Sequence, residues 1–410
     1  MITNHRIDLD RLMGRIRALG EVGSLPGGGV CRLALSDADK AGRDLVSGWM
    51  RDAGLAVTVD AIGNVVGSRK GETDGPMVLV GSHIDTVATG GLYDGNLGVL
   101  AGLEVIDVLN DLGLTTHHPV GVAFFTNEEG ARFAPDMMGS GVHQGALSLE
   151  TCLATAGIDG ATVGEELQRI GYAGETPAGS VTPRAYFELH VEQGPVLEEA
   201  GIAIGAVTGV QGISWTEYTV AGVSNHAGTT PMRLRHDAGY VAAEIAVEAR
   251  RIARDIGGDQ VATAGAIELD PGLVNVIARS ARITVDLRNT DDLLLREAEA
   301  QMAARVVELE KSEGVTIAAR SLARFAPVGF DEAFVSLVAE TAQKLGHTAM
   351  RMPSGAGHDA QMFAPNCPTA MVFVPSAGGI SHNVEEYTAP DEIAAGANVL
   401  LQMVLSAAGR

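Results

Sequence analysis

The fold of this chain is decided by residues 77–97, which read MVLVGSHIDTVATGGLYDGNL. An apolar run opens the stretch, a glycine-rich loop follows, and Leu97–Leu109 continues as an apolar segment of helical length. Apolar runs of about four to eight residues predict buried strands, and longer ones predict helices. A buried strand that leads through a loop into a helix is the repeating unit of an α/β layer.

The same alternation continues on both sides of this stretch. Amphipathic helices are predicted in residues 1–55, the second of them beginning at Ser36 or Asp37 as its N-cap. Further elements are predicted as strands at Val120–Thr126, Ala185–Val191 and Thr369–Val374 and as helices at Phe334–Leu345 and from Pro390 onward. Strands that alternate with helices predict an α/β fold with a mixed, largely parallel sheet flanked by helices.

The order of elements changes between Gly212 and Phe325. There the pattern predicts strands at Ile213–Val220, Val261–Leu269, Ser280–Leu287 and Val315–Arg320, with helices at Ala238–Ile256 and Leu293–Ser312. Strand, helix, strand, strand, helix, strand is the order of ferredoxin-like α+β units. We therefore expect a discontinuous domain, residues 1–211 and 328–410, interrupted by an inserted domain, residues 212–327.

Composition restricts the class of partner. The 410 residues include 51 acidic and 29 basic side chains, a formal net charge of −22, and 46% are hydrophobic. The hydrophobic fraction excludes intrinsic disorder, and the negative charge disfavours nucleic acid and anionic membrane surfaces. The first 16 residues interleave charged and apolar side chains, and the three cysteines are far apart. These features predict a cytoplasmic protein without disulfides that acts on a small molecule.

Side chains that can bind metal follow several of the predicted strands. Parallel strands place such residues together at the carboxyl edge of a sheet. Imidazoles combined with carboxylates suit borderline divalent ions such as zinc, manganese, cobalt or nickel, and a carboxylate between two ions can bridge them. Each residue alone is compatible with a structural role, but their ordered series favours a metal site. The series is His83, Asp85, Asp94, Glu128, Glu129, His190 and His382.

The motifs that contain these residues resemble a known family. GSHIDT, GGLYDGNLGVLAGLE, FFTNEEGARF, ELHVEQGPVLE, SNHAGTTPM, SGAGHDA and GISHN are similar to the M20 family of metal-dependent amidohydrolases. They resemble most its hydantoinase/carbamoylase branch, over about Asn64 to Tyr387. Peptidases of the family usually have a carboxylate at the position of His190, so the histidine favours the carbamoylase branch over a peptidase.

The resemblance implies a role for each residue of the series. His83, Asp94 and His190 would hold one divalent ion, and Asp94, Glu129 and His382 would hold a second, with Asp94 bridging the two. Asp85 would orient His83 by accepting its free ring N–H. Glu128 would be the general base that takes a proton from the attacking water and passes it to the leaving nitrogen.

The resemblance also implies that the inserted domain is a lid and the interface of a homodimer. His226 would reach the active site of the neighbouring subunit and donate to the oxyanion, although a turn-capping role is the alternative. Asn275 and Arg288 would bind the substrate carboxylate, while a salt bridge to Asp286 or Asp291 is the alternative for Arg288.

Two more segments are expected to contact the substrate. Gln193 follows the motif ELHVE, and Gly357 lies in SGAGHDA, where glycine lets the backbone approach a ligand closely. The adjacent His358 and Asp359 fit either a substrate contact or bracing of the loop.

The function that this resemblance implies is hydrolysis of the ureido C–N bond of an N-carbamoyl-L-amino acid, giving the amino acid, ammonia and carbon dioxide. The alternatives are an allantoate amidohydrolase and a β-ureidopropionase, which share the ligand set. A metal-binding protein of the same fold without activity is a remote alternative, disfavoured because every expected position is filled.

Overall fold

The structure is a computed structural model that describes residues 4–409; residues 1–3, with which the predicted discontinuous domain begins, and Arg410 lie outside the described residues. The chain forms two compact units. One consists of the segment up to Gly209 together with the segment from Gly329 onward, and the other is Val210–Val328.

Strands and helices are numbered in chain order. The strands are β1 (Ala56–Val59), β2 (Val65–Arg69), β3 (Met77–His83), β4 (Val120–Phe125), β5 (Pro183–Val191), β6 (Ile204–Val210), β7 (Gly212–Ala221), β8 (Val261–Asp270), β9 (Ser280–Asn289), β10 (Thr316–Phe325), β11 (Val328–Gly329), β12 (Ala349–Ser354) and β13 (Thr369–Val374). The helices are α1 (Leu9–Gly20), α2 (Asp37–Asp52), α3 (Asn96–Asp111), α4 (Met138–His143), α5 (Leu149–Leu153), α6 (Val163–Ile170), α7 (Val196–Ala200), α8 (Ala238–Ile256), α9 (Asp292–Glu313), α10 (Glu332–Lys344), α11 (Asp359–Phe363) and α12 (Pro390–Ala408).

The larger sheet has the strand order β1-β2-β4-β3-β5-β13-β6-β11, and β12 pairs with β6. Its four central strands, β4, β3, β5 and β13, are parallel, whereas the pairs β1–β2, β2–β4 and β13–β6 are antiparallel. The sheet is therefore mixed, as predicted, but a smaller share of its strand pairs is parallel than the sequence predicts. Residues 60–64 join β1 to β2, a connection too short for the crossover that a parallel pair needs.

The central strands bring the predicted ligands to one edge. Every residue of β4 and β13 is buried, as expected for parallel strands covered on both faces by helices. His83 ends β3 and lies beside Phe125 of β4, while His190 in β5 lies beside Phe373 of β13. Ends of parallel strands thus place residues from distant segments side by side.

A buried ion pair in helix α2 contacts the segments that lie next to this edge of the sheet. Helix α2 begins after Ser36, whose side chain accepts the Asp39 N–H, in agreement with the predicted cap. Arg43 Nε donates to Asp39 at 2.7 Å, and both side chains are fully buried. Arg43 also donates to the Gly63 carbonyl at 2.7 Å and to Thr126 Oγ1 at 3.3 Å. Thr126 lies two residues before the consecutive glutamates Glu128 and Glu129.

The second unit contains a four-stranded antiparallel sheet with the order β10-β7-β9-β8. Its elements follow one another as strand, helix, strand, strand, helix, strand. Helices α8 and α9 bury their apolar residues, among them Ile245 and Met302, against Val220, Ile283 and Val285 of the sheet. Helix α8 has the bounds that its hydrophobic periodicity predicts.

Within residues 4–409, no helix combines the length and the apolar character that crossing a bilayer requires.

We expect Arg43→Met to lower the free energy of unfolding by about 3–5 kcal/mol, because Asp39 is then left buried without its cationic partner. The double variant Asp39→Leu/Arg43→Met should regain most of this loss. Urea unfolding measures both. Arg51→Met, at an exposed position of the same helix, is the control and should change stability little. An unchanged free energy of unfolding in Arg43→Met would show that the Asp39–Arg43 ion pair does not stabilise the fold.

Candidate active site

Two groups of potential metal ligands that share Asp94 meet at the carboxyl edge of the larger sheet. The first is His83, Asp94 and His190, and the second is Asp94, Glu129 and His382. His190 also belongs to a third group, with Glu188 and His358. Within each group the candidate ligand atoms lie within 4.8 Å of one another. The structure thus brings together, in the first unit, all five residues that the sequence predicts as metal ligands.

Asp94 belongs to both groups because it turns one oxygen toward each. Its Oδ1 lies 3.2 Å from His190 Nε2 and 3.5 Å from His83 Nε2. Its Oδ2 lies 3.5 Å from His382 Nε2, which in turn is 3.3 Å from Glu129 Oε2. A carboxylate in this orientation can be shared by two ions.

Backbone carbonyls orient two of the imidazole rings. His83 Nδ1 lies 2.9 Å from the Asp85 carbonyl oxygen, and His190 Nδ1 lies 2.9 Å from the Val191 carbonyl oxygen. Donation of a proton from each Nδ1 leaves Nε2 as the ring nitrogen that can bind an ion, and in His190 this atom accepts the Gly95 N–H at 3.1 Å. Both rings are therefore held in the tautomer that a metal ion requires.

Asp85 accepts the ring N–H of His83, as expected, but through its backbone carbonyl. Its carboxylate does not accept the ring N–H of His83; it accepts the backbone N–H groups of Glu128 and Glu129, at 3.3 Å each. Because Asp85 follows His83 by two residues, its carbonyl lies beside the ring while its side chain reaches the loop after β4. Asp85 thus orients His83 through its backbone and the two glutamates through its side chain.

The carboxylates of this cluster are buried, and within residues 4–409 no lysine or arginine forms an ion pair with Asp85, Asp94, Glu128 or Glu129. Burial raises the pKa of both glutamates well above the usual value. For Asp94 burial acts in the same direction, but the neighbouring imidazoles of His190 and His83 outweigh it and hold the pKa well below its usual value.

The donor set therefore fits divalent cations. Three imidazoles and two carboxylates are typical ligands of zinc and similar ions, and such ions would supply the positive charge that the buried carboxylates lack.

The cluster lines a cavity of about 110 Å³, to which Gly357 and His358 also contribute. Gln193 reaches into it: its Nε2 donates to Asp94 Oδ2 at 2.8 Å. Within residues 4–409 the buried Gln193 Oε1 has no hydrogen-bond partner, so it can accept an N–H from a ligand. His358 Nε2 lies 2.8 Å from Ser354 Oγ, and this contact braces the loop.

The predicted residues of the second unit lie at its surface. His226 Nδ1 accepts the backbone N–H of Gly228 at 3.0 Å, which is the turn-capping role considered as the alternative. Asn275 is exposed beside it, and its carbonyl accepts the Ala227 N–H at 3.0 Å. The structure thus places His226 and Asn275 on neighbouring segments.

Arg288 forms the ion pair that the sequence left as an alternative. Its Nη2 lies 2.8 Å from Asp286 Oδ2, and its Nε donates to the same carboxylate. The guanidinium also lies over the ring of Trp215, 5.9 Å from its centroid. Both contacts fix the plane of the guanidinium.

Three buried charged residues around the cluster were not predicted from the sequence. Arg32 donates to the Ile84 carbonyl at 2.7 Å and to Asn96 Oδ1 at 2.9 Å, and so joins the end of β3 to the start of α3. Glu188 accepts from Ser82 Oγ at 2.7 Å. Glu386 is buried beside Asp94, and burial raises its pKa to about 7. Glu188 lies in the motif ELHVEQGPVLE and Glu386 closely follows GISHN, but neither motif distinguishes these two carboxylates from surface charges.

Comparison with known proteins shows that the chain is similar to amidohydrolases. Residues 79–406 match peptidase family M20/M25/M40. The chain is 41% identical to the N-carbamoyl-L-amino-acid amidohydrolase of Rhizobium meliloti, over 99% of this chain and 98% of the relative. It is also 41% identical to the N-carbamoyl-L-amino acid amidohydrolase of Geobacillus stearothermophilus, over 96% of this chain and 97% of the relative. A crystal structure of a hydantoinase/carbamoylase family amidase from Burkholderia multivorans has a TM-score of 0.96 and 46% identity, and covers 98% of both chains.

We expect Gly95→Ala to weaken the binding of divalent ions by at least about 10-fold. Gly95 has a φ of +65°, and a Cβ there would lie 2.4 Å from His83 Nε2, so the ring must leave its position. Titration of Zn²⁺ or Mn²⁺ into chelator-stripped protein measures the affinity. Gly113→Ala is the matched control: φ is +59°, but nothing lies within 4 Å of its Cβ, so only the backbone is strained. Wild-type affinity in Gly95→Ala would contradict the proposed ligand role of His83.

Proposed function

The chain belongs to peptidase family M20/M25/M40, and we propose that it is an amidohydrolase that cleaves the ureido C–N bond of an N-carbamoyl-L-amino acid. The products are the free amino acid and a carbamate, which decomposes to ammonia and carbon dioxide. Full-length similarity to two N-carbamoyl-L-amino-acid amidohydrolases supports this substrate class.

The observation that carries the proposal is the orientation of Asp94. Its two oxygens face different ligand groups, as a two-metal hydrolase requires. We propose that His83, Asp94 and His190 hold one divalent ion and that Asp94, Glu129 and His382 hold the other. Zinc, manganese, cobalt and nickel all suit this donor set. When bound, such ions polarise a carbonyl group and make water more acidic.

Glu128 is the side chain proposed to transfer protons. Glu129 belongs to a ligand group, whereas Glu128 does not, although its Oε2 lies 3.3 Å from His83 Nε2 at the edge of the cavity. It takes a proton from the water that attacks the carbamoyl carbon and then donates this proton to the leaving nitrogen. Burial raises its pKa, which favours a group that must both accept and release a proton near neutral pH.

Residues of the second unit are proposed to bind the rest of the substrate. The Arg288 guanidinium, whose plane is fixed by Asp286 and Trp215, offers donors that match a carboxylate. Asn275 would add an amide donor, and His226 would donate to the oxyanion of the neighbouring subunit. The exposure of Asn275 and His226 supports a dimer in which residues 212–327 serve as lid and interface.

A substrate panel tests the proposed reaction. We expect the metal-loaded enzyme to hydrolyse N-carbamoyl-L-amino acids with a higher kcat/KM than allantoate or N-carbamoyl-β-alanine, as measured by ammonia release. The N-carbamoyl-D-amino acids are the matched control, because they differ only in the position of the carboxylate and side chain. A higher kcat/KM on allantoate would identify the rival activity, and hydrolysis of none of these ureides would refute the proposal.

We expect Glu128→Gln to lower kcat by about 10²–10⁴-fold, because the amide cannot carry the proton. Metal content should stay at that of the wild type, since Glu128 lies outside both ligand groups. Glu129→Gln is the matched comparison: it changes the neighbouring residue in the same way but should lose metal. Activity and metal analysis of both variants test the assignment, and wild-type turnover in Glu128→Gln would eliminate it.

A further inference from the structure

Glu386 lies next to the candidate metal ligands but belongs to neither of the two groups that share Asp94. It is buried, with 5% of its surface exposed, in the loop that joins β13 to α12 and also carries His382. We propose that Glu386 is a positioning residue that fastens this loop to the loop carrying Asp94 and thereby holds the Asp94 carboxylate between the two ligand groups. The inference rests on the proposed two-metal function.

The Glu386 carboxylate contacts the backbone around Asp94. Glu386 Oε1 accepts the N–H of Tyr93 at 3.0 Å and the N–H of Asp94 at 3.1 Å. Two hydrogen bonds to one oxygen fix the peptide planes on either side of Tyr93. Both donors are backbone N–H groups next to the Asp94 Cα, and this restraint therefore acts on the position of that atom.

The Asp94 side chain is restrained from the same loop. Ser381 Oγ lies 3.2 Å from Asp94 Oδ2 and 3.5 Å from Glu386 Oε2. Asp94 Oδ2 is the oxygen that faces His382. Glu386 and Ser381 together thus restrain both the backbone and the carboxylate of Asp94, from the loop that also supplies the next ligand, His382.

The two loops pack closely against each other. A Cβ at Gly91 would lie 2.3 Å from Glu386 Oε1 and 2.4 Å from its Cβ, so only glycine allows the carboxylate to lie against this backbone. The segment GGLYDGN contains three glycines and has little conformational preference of its own. An external restraint is therefore needed to hold Asp94 in one orientation, and Glu386 provides it.

The experiment measures metal binding without substrate. Wild type, Glu386→Ala, Glu386→Gln and Glu385→Ala are stripped with a chelator and titrated with Zn²⁺ and Mn²⁺ by calorimetry. We expect Glu386→Ala to weaken metal affinity by about 10–100-fold, the effect typical of residues that orient metal ligands. Glu386→Gln keeps an oxygen that can accept both N–H groups and should stay close to wild type. Glu385→Ala removes the same charge from the exposed neighbouring residue and is the matched control.

The outcomes separate positioning from a general structural role. Unchanged metal affinity and stoichiometry in Glu386→Ala, with or without reduced thermal stability of the metal-free protein, would overturn the proposal. An affinity of Glu386→Gln as low as that of Glu386→Ala would also overturn it, because hydrogen-bond acceptance would then not be the cause.

A milder variant serves if Glu386→Ala does not fold. Ser381→Ala removes the contacts to Asp94 Oδ2 and Glu386 Oε2 but keeps the two backbone hydrogen bonds of Glu386. We expect a several-fold loss of metal affinity, smaller than that of Glu386→Ala; unchanged affinity would overturn the proposal. Failure of the proposed function would instead appear as absence of ureide hydrolysis by the metal-loaded wild type. The two failures are therefore distinguishable.

Discussion

The placement of one buried carboxylate, Asp94, between two sets of ligands is the constraint on which the rest of the structure depends. Its oxygens lie 3.2 Å from His190 Nε2 on one side and 3.5 Å from His382 Nε2 on the other. Because the aspartate side chain is short, its two oxygens can face the two ligand groups only if the backbone of Asp94 lies close to the centre of the cluster. The glycine-rich loop between β3 and α3 achieves this because Gly91 and Gly95 let it pass close to Glu386 and His83.

Burial of so much negative charge requires a layer of supporting contacts. Asp85 accepts the N–H groups of both glutamates, Arg32 joins the end of β3 to α3, and Arg43 braces the segment before the glutamates. Neither arginine forms an ion pair with a carboxylate of the cluster within residues 4–409. They donate to backbone carbonyls, an amide and a hydroxyl group instead, so the carboxylates of the cluster keep their oxygens available for divalent cations.

The sequence predicted the central strands, the order of elements in the second unit and the five residues of the two ligand groups. The predicted strands and helices rest on local patterns, namely apolar runs and helical periodicity. The division of the ligands into two groups was implied by the resemblance to the M20 family. The mixed character of the sheet was underestimated, because short strands such as β1 and β2 carry little pattern. The hydrogen bond from His83 to Asp85 was predicted, but not that the acceptor is the backbone carbonyl, because residue spacing does not determine which atoms meet.

The sequence by itself determined which residues can bind metal and that the chain resembles the M20 family, since both follow from residue identity and short spacings. Only the tertiary structure decided that Asp94 faces both groups, that Arg288 pairs with Asp286, and that Glu386 contacts Asp94 across 292 positions of sequence. Such contacts depend on how strands and loops are placed in space. In the sequence, a glutamate that accepts hydrogen bonds from a distant segment is indistinguishable from a glutamate that is exposed to water.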